Sequence, residues 1–182
     1  MKIEEFLKSL PNNIISGDNV QLPEYSFRRI FKFLDLNEKD IFYHLGCGDG
    51  KGIAIASEEF NVKKAVGVEN NKENIQQAEK LLKKKNLKNI ELLFEDIKTA
   101  KINDATVVLF WFTDNDIIET MMKKFESLQH GSRIITIWGP LPGCLPAKVD
   151  FPYIINTVPF KSADLKEQLL AIFDTKCIDF VT

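Results

Sequence analysis

The stretch His44-Leu45-Gly46-Cys47-Gly48-Asp49-Gly50-Lys51-Gly52 carries the densest chemical information in the chain. Glycines packed this closely after an apolar run let a ligand approach the main chain where a Cβ would stand in its way. A dinucleotide fingerprint requires G-x-G-x-x-G. Gly46 and Gly48 begin that pattern, but Lys51 holds the place of its third glycine, and a start from Gly48 and Gly50 puts Ile53 there. No G-K-[ST] follows, which excludes the phosphate cradle of a P-loop. The turn is built for a ligand that need not be a pyrophosphate. Cys47, Cys144 and Cys177 lie far apart and form neither a CxxC nor a Cys/His pair, so no metal is expected and the thiols read as small buried hydrophobes.

Strand and helix patterns alternate around this turn. Residues 41–45 form a short apolar run suited to a buried strand, 46–50 the turn, and 53–60 a helix. A second strand is predicted over 65–69 and a helix over 72–85 with Ile75, Ala78, Leu81 and Leu82 on one face. Strands over 90–94 and 106–112, a helix over 114–129 burying Ile118, Met121, Met122 and Phe125, and a strand over 133–138 follow. Pro140, Pro142, Gly143 and Pro146 make a stiff loop, and strand-like runs near 153–158 and 169–181 complete the sheet as a hairpin. Ahead of the first strand, 3–10 reads as a helix ending at Pro11. Gly17-Asp18-Asn19 supplies turn chemistry, and after Pro23 a second helix carries Phe27, Ile30, Phe31 and Leu34 at helical spacing. The expected fold is α/β: a Rossmann-like, doubly wound, seven-stranded, mostly parallel sheet with a C-terminal β-hairpin. One domain spans 1–182, with a helical segment over 1–36 and the core over 41–182.

The LGCGDG turn after a strand resembles motif I of the class I S-adenosylmethionine (SAM)-dependent methyltransferases. The resemblance implies that His44, Leu45, Gly46, Cys47, Gly48, Asp49 and Gly50 pack against the methionine part of SAM. It continues at Glu69, which ends the second strand about 20 residues beyond the glycines. A carboxylate there implies charge-assisted hydrogen bonds from the ribose hydroxyls, with Asn70 beside it and Asn70 or Asn71 capping the next helix. Asp96 and Ile97, after the third strand, correspond to the pair that holds adenine in that family. More specifically, residues 18–150 are similar to the small archaeal protein-lysine methyltransferases, through 20–36, the glycine turn, 65–78, Gly131-Ser132-Arg133-Ile134 and Pro142-Gly143. The sequence departs from that family at His44, where an acid is usual, at Gln21-Leu22-Pro23-Glu24-Tyr25, and at Thr136-Ile137-Trp138-Gly139-Pro140.

The implied reaction is methyl transfer to lysine side chains of proteins, with S-adenosylhomocysteine (SAH) as product. Such an in-line displacement draws most of its catalysis from alignment and desolvation. A lysine near pKa 10.4 must first lose its proton, at a cost of roughly 4 kcal/mol at neutral pH. Burial lowers that cost, and aromatic walls guide a cationic head. Tyr25, Trp111, Phe112 and Trp138 are the candidate walls; no residue stands out as a general base, and His130 reads as surface.

A formal charge of −2 argues against a nucleic-acid binder held by phosphate contacts, and Lys83-Lys84-Lys85 suits a solvated helix end. Phe110-Trp111-Phe112-Thr113 also lacks the Asn/Asp-Pro-Pro-aromatic tetrapeptide expected of an enzyme that methylates a flipped base. No apolar run reaches the roughly 18 residues of a membrane helix, and MKIEEFLKSL is not a secretory signal. The expectation is a cytoplasmic monomer with a protein substrate and no membrane partner. Two other readings fit the same cofactor site. One is a non-catalytic SAM- or SAH-binding protein with a decayed acceptor site; the other is a small-molecule N-methyltransferase with an N-terminal helical lid.

Overall fold

A computed structural model of the chain describes residues 21–111 and 114–173. Seven strands form one sheet: β1 (Ile41–Leu45), β2 (Lys64–Glu69), β3 (Ile90–Phe94), β4 (Val107–Phe110), β5 (Arg133–Ile137), β6 (Lys148–Asp150) and β7 (Tyr153–Thr157). Their order is β3-β2-β1-β4-β5-β7-β6. Pairs β3-β2, β2-β1, β1-β4 and β4-β5 are parallel, whereas β7 runs antiparallel to both β5 and β6. The order reverses direction between β1 and β4. A crevice opens at such a switch point, outside the carboxyl ends of the strands.

Among the described residues, five helices cover the sheet: α1 (Glu24–Phe33), α2 (Lys51–Phe60), α3 (Lys72–Lys85), α4 (Asn115–Glu126) and α5 (Leu165–Phe173). Pro23, with its φ at −68°, opens α1, which buries Phe27, Ile30 and Phe31. Asn71 caps α3 by accepting from the Glu73 and Asn74 amides, and Asp114 caps α4 by accepting from that of Ile117. Asn61 and Asn86 end α2 and α3 in the left-handed conformation. Strand periodicity divides the core in two. Phe42, Leu109 and Ile135 pack with Phe31 and Ile53 on one face, while Tyr43, Val66 and Val108 pack with Met121 and Phe125 on the other.

The C-terminal part differs from expectation. The hairpin lies earlier, as β6 and β7, and residues 165–173 are helical where a strand over 169–181 was predicted. The cause is a capping box: the Glu167 carboxylate accepts from the Asp164 amide, and the Asp164 carboxylate accepts from the Glu167 amide, both at 2.8 Å. Residues 174–181 lie outside the described residues, as do the predicted helix over 3–10 and the Gly17-Asp18-Asn19 turn. β4 is shorter than the predicted 106–112, which leaves Trp111 beyond its end. β5 stops at Ile137 because Trp138 turns to φ +74°.

Candidate functional site

The glycine turn is held against β2 by two main-chain bonds, from the Gly46 and Cys47 amides to the Val68 carbonyl at 2.8 and 3.0 Å. Gly50 closes it at φ +80° and begins α2, and a Cβ there would come within 2.9 Å of the Ala78 Cβ. This glycine therefore serves the packing of α2 on α3 rather than the cavity wall.

Glu69 ends β2 directly beneath the turn and is buried. Its Oε2 accepts from the Gly48 amide at 2.9 Å, and Oε1 accepts from the Asn70 and Asn71 amides at 3.0 and 2.8 Å. A carboxylate has about four acceptor positions, so three backbone donors fix its orientation and leave capacity for a ligand hydroxyl. Asp96 sits past the end of β3, exposed, with Oδ1 accepting from the Lys98 amide at 2.8 Å; Ile97 beside it is buried. Asp49 accepts from the Lys51 amide at 3.2 Å and pairs with the Lys51 ammonium at 2.7 Å.

His44 is 8% exposed, edge-on to Phe27 and tilted against Phe42, and its Nδ1 is buried without a hydrogen-bond partner. Burial pushes its pKa down to about 4, with Asp49 opposing the shift, so the ring is neutral. Burial, reinforced by Glu69, pushes the Cys47 thiol up to about 12. Cys47 therefore packs as a hydrophobe and is not a nucleophile. Cys144 is likewise a buried free thiol, while Cys177 lies outside the described residues.

These groups border one cavity of about 670 Å³ at the carboxyl ends of the strands. His44, Leu45, Gly46, Cys47, Gly48, Asp49, Glu69, Asn70, Asp96 and Ile97 all line it; Gly50 does not. Among the candidate acceptor walls, Trp111 lines the cavity. Tyr25 stands 72% exposed on α1, and Trp138 leans edge-on against Phe151 at 5.5 Å between ring centroids. Phe112 lies outside the described residues. His130 and Lys83, Lys84 and Lys85 are exposed, and Lys85 pairs with Glu58.

The structure adds wall residues that motif reading passed over: Gln21, Leu22, Phe27, Asn71, Asn74, Lys98, Leu109, Ile117 and Ile137. Leu109, near the end of β4, borders the switch point and Ile137 ends the next strand, β5, positions that the strand pattern could have supplied. The donor set suits a nucleoside with a polar tail. It combines a backbone-oriented buried carboxylate, an acid beside an apolar side chain, and a glycine turn, in a volume typical of small-molecule sites. Among the described residues, no group of three His, Cys, Asp or Glu could hold a metal ion, and no helix is long and apolar enough to cross a membrane.

Comparison with known proteins agrees with this geometry. Residues 37–136 match the methyltransferase domain family. A protein-lysine N-methyltransferase of Saccharolobus islandicus (strain REY15A) is 35% identical over 132 residues, 71% of this chain and 81% of that protein. An RNA methyltransferase from Salinibacter ruber, solved with SAH, superposes with a TM-score of 0.72 at 24% identity, covering 80% of this chain and 97% of the other. The tRNA (m1A58) methyltransferase TrmI of Aquifex aeolicus superposes with a TM-score of 0.55 at 24% identity, covering 69% and 50%. The chain belongs to the methyltransferase domain family and has the seven-stranded fold of the class I, SAM-dependent enzymes.

Proposed function

We propose that this protein transfers the methyl group of SAM to lysine side chains of proteins. The observation that carries the reading is the 35% identity to a protein-lysine N-methyltransferase across 71% of this chain. In this reading Glu69 receives a ribose hydroxyl at its remaining acceptor position, Asp96 and Ile97 hold the adenine, and the turn from His44 to Asp49 follows the methionine part. Bound SAM supplies an electrophilic methyl carbon on a sulfonium, which leaves as the neutral thioether of SAH.

The chain's own contribution is to align and to desolvate. Trp111, just past β4 and on the cavity wall, borders the incoming amine in this reading. Leu109 and Ile137 are buried apolar side chains beside it, and an amine brought against them is driven toward its free-base form. The proton leaves to solvent before transfer, so no general base is required. In this reading Trp138 and Tyr25, both exposed and outside the cavity wall, are surface contacts for the protein substrate. The protein acts as a single-domain monomer in the cytoplasm, without a nucleic-acid or membrane partner. His44, neutral and with an unpaired Nδ1, favours a second reading in which the site binds SAM or SAH without turnover.

The deciding experiment incubates the protein with methyl-labelled SAM and a lysate of its source, beside a Glu69→Ala blank. Label on protein lysine, lost in Glu69→Ala, is the expected result. Removing this carboxylate takes away a charged hydrogen-bond partner, expected to weaken SAM binding at least about 10-fold. Binding of SAM with no label in any fraction would select the non-catalytic reading, and label confined to RNA or small molecules would exclude lysine as the acceptor.

A further inference from the structure

Lys124 lies in the last turn of α4 and does not line the cavity, yet its ammonium reaches the cavity's far wall. Nζ donates to the carbonyls of Ala100 at 2.7 Å and Ile97 at 3.2 Å. Those carbonyls belong to a tight turn that starts at Asp96. The Thr99 and Ala100 amides both donate to the Asp96 carbonyl at 2.9 Å, and the Lys98 amide donates to the Asp96 side chain. The turn thus consumes its donors on Asp96 and directs carbonyls outward, as the C-terminal end of a helix does, where a cation is favoured. Lys124 is only partly buried, and desolvation pulls its pKa down while Asp96 and Glu95 hold it up. Below the turn, Ile97 and Ala100 pack into the same apolar layer as Met121 and Phe125 of α4.

We infer that Lys124 is a positioning residue for the ligand: through its two carbonyl contacts it fixes how far Asp96 and Ile97 stand into the cavity. The inference rests on the proposed reading that Asp96 and Ile97 hold the adenine ring. Ile97 is held to α4 by apolar packing and by this ammonium. Apolar packing tolerates sliding, whereas a two-pronged hydrogen bond fixes a height. Lys124→Met keeps the aliphatic length and removes the donors; Lys124→Arg retains donors and charge.

The test is titration of the full chain with SAH and with its deaminated analogue S-inosylhomocysteine, for wild type, Lys124→Met and Lys124→Arg, alongside thermal melting. Lys124→Met should bind SAH about 10-fold more weakly, in line with the loss of a charged hydrogen bond. It should also lose most of the preference for SAH over the inosine analogue, and Lys124→Arg should recover at least half of both on a logarithmic scale. In turnover, KM for SAM should rise while kcat stays within about twofold, the pattern of lost uniform binding. A Lys124→Met protein that melts lower but binds both ligands as wild type does would overturn the inference and leave a stabilising role alone. Should Lys124→Met not fold, Lys124→Gln, which is uncharged and one atom shorter, takes its place, and its loss of SAH affinity and of preference is read against Lys124→Arg. Wild type that fails to bind SAH would remove the cofactor reading itself, and the inference with it; normal wild-type binding with unaffected variants would remove only the inference.

Discussion

His44 stands where the family resemblance implies an acid, and burial decides what such a histidine does. Its ring is walled by Phe27 and Phe42, and a Cβ on Gly52 would meet Nδ1 at 2.9 Å, so no water-sized gap lies on that side. With its pKa pushed from 6.5 down to about 4, the folded chain refuses a proton that the unfolded chain accepts between those values. Stability contributed by the neutral ring is therefore complete above pH 6.5 and is lost as pH falls toward 4. The slope approaches 1.4 kcal/mol per unit and totals about 3 kcal/mol. Urea unfolding of wild type and His44→Phe between pH 7.5 and 4.5 checks this. Wild type should lose stability more steeply than the variant by about 1 kcal/mol per unit, whereas parallel slopes would mean that the ring is hydrated in solution. His44 was visible in the sequence as a departure; its desolvation was not, because that depends on α1 and β1 converging on one side chain.

Arg133, at the start of β5, shows how elements are locked together at the end of the sheet remote from the cavity. Its guanidinium donates to Asp40 Oδ1 at 2.5 Å and to the Leu34 carbonyl at the end of α1. Asp40, 5% exposed, also accepts from the Asn37 amide at 3.0 Å and the Thr106 hydroxyl at 2.8 Å, and Thr106 in turn accepts from the Ile41 amide. One carboxylate therefore ties α1, β1, β4 and β5. Asp40→Ala should cost about 3–5 kcal/mol in urea unfolding, since it leaves a half-buried cation unpaired. SAH affinity should be unchanged, and weakened binding would show that the two ends of the sheet are coupled. Element boundaries in this region were legible from periodicity and caps, as at Asn71 and Asp114. The Asp40–Arg133 contact was not, because 93 residues separate the partners.

Over the molecule as a whole, the parallel half of the sheet builds the cavity and the antiparallel half closes the core behind it. Gln168 of α5 is the pin of that second half: buried, its amide donates to the Leu141 and Cys144 carbonyls at 2.8 Å each. It anchors α5 to the proline-rich loop after β5, near the aromatic contacts of Trp138 with Phe151 and of Phe151 with Phe173. Gln168→Leu leaves two carbonyls without that donor and should lower stability by about 1–3 kcal/mol, read by thermal melting. An unchanged melting point would mean that water replaces the amide. This half was the least legible. The apolar run from Leu169 to Phe173 fits a strand or a helix equally, and only Asp164 and Glu167, at capping-box spacing, marked it as helical.

What the sequence by itself determined is the chemistry set by short spacings. The glycine turn, the acid ending β2 and the Asp96-Ile97 pair each lie within a few residues of a strand end, and a parallel sheet brings all such ends to one edge. Only the tertiary structure decided which side chains reach the cavity from a distance. Trp111 lines it while Tyr25 and Trp138 stand outside, Gly50 turns to Ala78, and Lys124 reaches across to the Asp96 turn. The physical reason is that periodicity assigns a face to a residue, but the angle and height at which helices cross the sheet, set by packing of the whole core, decide what that face meets.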